Sequence, residues 1–317
     1  MNPPDLSFHN AREIEEASEY LKEGEFEKAK TIFSNLLDKE PENPDFISGF
    51  FISGYWDNRI ELIFNSKEGK DRASRLVQLF DEFEKEVSQR NFSNKTFLSF
   101  VTECVLGEAS SQFRKAYQRE GMIGLEPNHL IQLVRCLMKI GDYTNAKEIL
   151  EYSKNFHKSS GEIRFFEAEC IYHLGDHRQS RVLYRDAMLL DPLAIRPEMV
   201  NSEPLHSAIL SISKEYSEID FKEYLPVYCL EKNIFTEVKN YSDVEIQNFI
   251  KEISRLEESF NSKIEKYSFK IRCRMIQLLV TILDSSFKKN LGVYEEAKHR
   301  LECIEPGFLE RRNNANS

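Results

Sequence analysis

Gly141-Asp142-Tyr143-Thr144-Asn145-Ala146 is answered 34 residues later (175 − 141) by Gly175-Asp176-His177-Arg178-Gln179-Ser180. Each block sets a glycine, which turns the chain, ahead of a small side chain, which lets two helices approach closely. The flanks keep the same interval: Ala168, Tyr184 and Pro192 around the later turn correspond to Val134, Leu150 and Lys158 around the earlier one. Self-similarity at one fixed spacing marks a repeat architecture. Residues 127–160 and 161–194 therefore read as tandem helical hairpins, the first of them divergent.

Residues 10–43 follow the same plan with Ala17, Tyr20, Gly24, Phe26, Ala29, Phe33, Leu36, Leu37 and Pro41. Ala17 and Ala29 allow close approach, Tyr20 and Phe33 fill the seam, and Pro41 prevents continuation. These spacings resemble the 34-residue tetratricopeptide repeat (TPR). The resemblance implies an all-α fold, a right-handed α-α superhelix or TPR-like solenoid, here with irregular long helices. A further TPR-like hairpin near 278–307 is read from Gly292, Tyr294, Ala297, Leu301 and Pro306.

Apolar and aromatic residues at helical spacing predict helices over 46–64, 70–88 and 95–119, so 46–119 reads as a divergent repeat. Pro197 and Pro204 make 195–204 the expected linker or elbow between N-terminal repeats at 10–194 and a C-terminal helical region at 205–310. In that region helices are expected at 205–217, 220–233, 243–260 and 264–289, with Ser242, Asp243 and Glu245 marking one start. Residues 1–9 are expected to be disordered, as is the polar tail 311–317.

The 317 residues, with only 12 Gly and 10 Pro, have the composition of long helices joined by short connections. Length alone does not demand two cores, because a solenoid grows by adding repeats. The 53 Asp and Glu exceed the 43 Lys and Arg, giving a net charge of −10 that disfavours phosphate backbones and anionic lipid. Neither nucleic acid nor a membrane is expected as a partner. Met1 to Asp5 lacks the basic start of a signal peptide and no stretch nears the ~20 apolar residues of a span, so the expected location is cytoplasmic. The six cysteines stand singly and lack C-x-x-C spacing, which argues against a zinc site or a disulfide framework.

Phosphate loops, dinucleotide fingerprints, nucleophile elbows and H-E-x-x-H helices are missing from the sequence, so neither enzymatic activity nor a cofactor is expected. His173-Leu174-Gly175-Asp176-His177 gathers two imidazoles and a carboxylate, but Gly175 breaks the helix between them and with it the i, i+4 geometry that chelates metal. Adjacent carboxylates such as Glu257-Glu258 diverge on a helix and read as solvated faces. Cys136 and Cys170, also 34 apart (170 − 136), read as equivalent buried small side chains. The basic run Lys263, Lys266, Lys270, Arg272, Arg274 follows the acidic Glu252, Glu257 and Glu258, and pairing between antiparallel helices is expected.

In the resembled family the first helix of each hairpin lines an inner groove that holds a partner segment. Carried onto this chain, the groove comprises Asn128, Gln132, Arg135 and Lys139 on one copy and Phe165, Glu169, Tyr172 and His173 on the next. A polar, cationic stripe beside an aromatic wall suits an extended acidic segment. Ile131 and Arg135 occupy one clamp pair of chaperone-binding members, and Glu162 stands where a lysine is needed, so a chaperone tail is not the expected ligand. The function implied is a non-catalytic scaffold or adaptor binding another protein or peptide, with self-association through terminal repeats compatible. Two alternatives stay open: a helical module holding an apolar small molecule among its 23 Phe and 13 Tyr, and a regulatory subunit of an enzyme.

Overall fold

A computed structural model describes residues 4–90, 92, 94–120, 126–153, 160–260, 265–286 and 291–315. Among these the secondary structure is entirely helical, without a strand. None of the described helices is long and apolar enough to cross a membrane. The chain divides into two compact units, Met1–Ile149 and Leu150–Ser317.

The first unit contains α1 (Pro4–Glu23), α2 (Phe26–Lys39), α3 (Pro44–Asp57), α4 (Ile60–Phe64), α5 (Lys70–Arg90), α6 (Lys95–Glu120), α7 (Pro127–Lys139) and the start of α8 (Tyr143–Ser153). Asn43 starts α3, its Oδ1 accepting from the amides of Asp45 and Phe46, with Pro44 at the first helical position where a missing N–H costs nothing. The expected helices at 46–64, 70–88 and 95–119 correspond to α3 with α4, α5 and α6. Proline at the start also explains why α1 begins at Pro4, inside the stretch 1–9 expected to be disordered.

A closed ring of contacts organises this unit: α1 packs on α2, α2 on α3, α5 on α6, and α6 returns to α1. Trp56 of α3 completes the ring, its centroid 6.1 Å from Phe26 of α2 and 6.4 and 5.4 Å from Phe80 and Phe83 of α5. Phe33 and Phe97, 5.2 Å apart, tie α2 to α6. Leu21, fully buried, does the seam-filling assigned to Tyr20, which is only half-buried and hydrogen-bonds Glu16. Helix α7 then packs on both α5 and α6.

The second unit contains the end of α8, then α9 (Gly161–His173), α10 (His177–Leu190), 3₁₀ turns at Pro192–Ala194 and Pro197–Met199, α11 (Leu205–Ile212), α12 (Glu218–Glu231), α13 (Asp243–Phe260), α14 (Glu265–Ser286), α15 (Leu291–Ile304) and α16 (Phe308–Asn314). Helices α9 and α10 form a tight hairpin, and α14 is the axis against which α12, α13 and α15 pack. At the start of α13, Ser242 Oγ accepts from the Glu245 amide while the Glu245 carboxylate accepts from the Ser242 amide, a capping box.

One turn is built three times. Gly24, Gly141 and Gly175 have φ of +77°, +80° and +94°, a conformation that costs a residue with a Cβ. The amides that follow them, of Glu25, Asp142 and Asp176, donate to the carbonyls of Tyr20, Leu137 and Ile171 at 2.9, 2.8 and 3.1 Å, the closure of a Schellman motif. Five positions past each glycine, Ala29, Ala146 and Ser180 are fully buried. In the C-terminal hairpin Ala297 and Leu301 are buried as expected, but Gly292 lies inside α15. Its turn and Lys158 lie outside the described residues.

Two further expectations need correction. Segment 195–204 is not a loose linker: Ile195, Met199 and Val200 are buried in the second unit, where apolar side chains outweigh the local turn signals of its prolines. The polar tail is helical as far as Asn314 and is tethered by its charges, which find distant partners. Arg312 bonds both oxygens of Asp284 at 2.9 Å and its carbonyl accepts from Asn233, while Arg311 pairs with Glu305 and Glu231. The basic run is likewise paired, though not wholly as expected. Arg274 bonds Glu252 of α13, whereas Lys270 reaches Glu223 and Arg272 reaches Glu305. Lys263 and the Lys266 side chain lie outside the described residues.

Candidate functional site

The eight groove residues fall four in each unit. On α7, Asn128 is exposed and the other three face α5. Gln132 accepts from Ser74 at 3.0 Å, Arg135 donates to Asp81 at 2.9 Å and Lys139 to Glu84 at 2.5 Å. The expected cationic stripe is therefore matched by carboxylates and presents a charge-balanced surface. Complementarity follows from spacing: i, i+4 cations on α7 meet i, i+3 carboxylates on α5. The acidic partners escape a sequence reading because nothing local says which face of α5 meets α7.

On α9 the four residues face inward rather than toward solvent, save His173. Phe165 and Glu169 are fully buried and Tyr172 is half-buried. The cover is the 195–204 segment: Ser202 Oγ donates to Glu169 Oε1 at 2.9 Å, the Asn201 amide approaches Oε2 at 3.4 Å, and the Tyr172 hydroxyl accepts from the Glu203 amide at 3.3 Å. His173 Nε2 lies 3.7 Å from the Glu169 carboxylate. Burial raises the Glu169 pKa above the usual carboxylate range against the pull of its hydroxyl and amide donors, and lowers that of His173.

The chain of hydroxyls continues inward. Tyr184 Oη lies 2.5 Å from Ser202 Oγ. The Tyr184 phenol, Ser202 hydroxyl and Glu169 carboxyl thus form one buried hydrogen-bonded cluster. Tyr184 in turn stacks on Phe235, centroids 5.7 Å apart, and both are among the residues around a cavity of about 220 Å³ that is open to solvent on one side. Tyr172 and His177, with ring centroids 4.6 Å apart, form one wall, and Ser180 and Arg181 line it from α10. Arg181 holds Glu237 through Nε and Nη2 at 3.1 and 2.9 Å, an attachment that keeps the Glu237 carboxyl down at about 2.

His177 thus opens α10 and packs on Tyr172. Among the described residues no group of three or more His, Cys, Asp or Glu is placed to hold a metal ion. Cys136 and Cys170 are both buried, and burial pushes the Cys136 thiol up to about 12. Ser180, Arg181, Ser202 and Phe235 were not singled out by the sequence as site residues. Only the 34-residue period flags Ser180; the others meet through contacts of 18 residues or more in separation.

Comparison with family models, with curated proteins and with solved structures gives no match to this chain, so its likeness to tetratricopeptide hairpins rests on its own residues.

Proposed function

We propose that this chain is a non-catalytic protein-binding scaffold, a cytosolic adaptor of TPR-like hairpins whose α5–α7 face receives an extended segment of another protein. The observation that carries this reading is the hairpin turn made three times to one plan, with a left-handed glycine, a Schellman closure and a buried small residue five positions on. In the family this resembles, such hairpins stack to present a partner-binding inner surface. Packing of α7 on the α5–α6 hairpin supplies one nearest-neighbour step of that kind, and we extend it to a right-handed superhelix.

Because Arg135 and Lys139 each meet a carboxylate, a segment of mixed polarity suits this face better than a purely acidic one. Asn128 at its open end supplies an amide donor and acceptor. The test is retention of proteins from native cytosol by the full chain and by an Asp81→Arg, Arg135→Asp variant. This exchange keeps the internal ion pair, and so the fold, while reversing the pattern of charge offered to a partner. Loss of a retained protein in the exchange variant, with unchanged circular dichroism, supports the reading. An identical set of retained proteins places binding elsewhere.

A further inference from the structure

A wide groove of about 1000 Å³ opens between α15 and α16 of the second unit, bounded also by the end of α14 and the turn after α12. Its α15 wall follows from helical spacing. Tyr294, Glu295, Lys298, His299 and Glu302 recur along one face of the helix, while Ala297 and Leu301 on a different face are buried in the core. Leu291, one turn earlier on the groove face, is 69% exposed. Leu309 enters from α16, and with Leu283 and the half-buried Tyr294 ring it gives the groove an apolar floor.

The charges around that floor are unbalanced. Asp284 and Arg312 line the groove as a pair already joined by two bonds of 2.9 Å. The exposed charges are the carboxylates of Glu295, Glu302 and Glu310 against the single ammonium of Lys298, so two negative charges are left over. Glu295 and Glu310 make no ion pair or hydrogen bond among the described residues. Glu302 gives one oxygen to the Gly307 amide at 3.0 Å and keeps the other. On the α5–α7 face, by contrast, Arg135 and Lys139 each meet a carboxylate. An apolar floor rimmed by spare carboxylates fits a partner that carries apolar and cationic side chains together.

We propose that this groove is a docking site for a basic amphipathic segment of another protein, its apolar side chains seated on Leu283, Tyr294 and Leu309 and its Lys or Arg side chains paired with Glu295, Glu302 and Glu310. A volume of about 1000 Å³ stands at the top of the range that encloses a small molecule, and an open groove of that size suits a chain segment. The sign of the charge selects against the alternatives, since an acidic segment or a phosphate backbone would meet carboxylates without counter-charge. The site lies wholly in the second unit and stands or falls separately from the α5–α7 face.

The probe is a fluorescein-labelled peptide of Leu and Lys at amphipathic helical spacing, titrated with the full chain and followed by fluorescence anisotropy. Two further peptides carry Glu for every Lys and Ser for every Leu. Expected are a Kd below about 100 μM for the first at low salt, binding at least about tenfold weaker with Glu and several-fold weaker with Ser. Glu295→Lys with Glu310→Lys should weaken the first peptide about tenfold or more, because two attractions become repulsions. Both side chains are exposed, so circular dichroism should be unchanged; should the reversal unfold the unit, Glu295→Gln with Glu310→Gln decides, with a several-fold loss expected. Glu15→Lys with Glu27→Lys, at exposed positions of α1 and α2, makes the same change to the net charge of −10 and should weaken binding less than about twofold. The proposal is overturned by no rise in anisotropy up to about 1 mM chain, by equal affinity for the Glu peptide, by folded groove variants that bind as the wild type does, or by an equal loss in the α1–α2 variant.

Discussion

Gly49→Ala offers a test of the first unit in which helix propensity and packing disagree in sign. Inside a helix the substitution ordinarily stabilises by roughly 1 kcal/mol. Here the added Cβ would stand 2.4 Å from two ring atoms of Phe33, which is fully buried and held by Phe97 at 5.2 Å. A core without room answers by moving α2 away from α3, and overpacking of this kind costs about 1–3 kcal/mol, or more at so deep an overlap. The net expectation is destabilisation by about 2 kcal/mol. Gly107 in α6 provides the control, since a Cβ there would meet nothing within 4 Å, and Gly107→Ala should stabilise by about 0.5–1 kcal/mol. Trp56 is the only tryptophan of the chain and sits in this unit's core, so its fluorescence during urea unfolding reports the first unit alone. Phe33→Leu in the Gly49→Ala background should restore part of the loss, giving a coupling of about 1 kcal/mol or more. A Gly49→Ala midpoint at or above the wild type, or strictly additive losses in the double variant, would refute the reasoning.

In the second unit, Asp284 accepts from Arg185, which is 5% exposed, and from Arg312; Asp284→Ala leaves that buried guanidinium unpaired and should cost about 3–5 kcal/mol by calorimetry, whereas a loss below about 1 kcal/mol would mean the network is solvated. Folding favours the protonated form of Glu169, whose pKa burial raises from its ordinary 4.5. The unit should therefore be most stable where both states are protonated, lose stability as pH rises from about 4.5 to the raised folded value, and level off above it. Glu169→Gln should flatten that part of the profile in thermal melts, and a profile parallel to the wild type counts against the assignment. Gly175→Ala adds a Cβ in open space at φ +94°, so only backbone strain is tested; a loss of about 1–2 kcal/mol is expected, and an unchanged melting temperature would mean the turn rearranges freely.

The sequence by itself determined the local elements. Glycine at 24, 141 and 175 is legible because few other residues tolerate a positive φ, and the buried small residue five positions on is legible because it recurs at the same offset. Helix starts at Asn43 and Ser242 follow from short polar side chains that reach their own backbone. What only the tertiary structure decided is which faces meet. Local pattern cannot say that α6 folds back on α1 to close the ring of helices around Trp56, nor that the carboxylates of Asp81 and Glu84 lie opposite Arg135 and Lys139. Likewise 195–204 reads as a linker from its prolines, yet Ser202 covers Glu169 and turns an expected open groove into the wall of a cavity. The tail reads as unpacked from its charges, yet Arg312 finds Asp284 from 28 residues away. Turns and caps obey interactions within a few residues, so a sequence displays them; ion pairs and buried polar chains join residues tens of positions apart, and their partners exist only once the helices have packed.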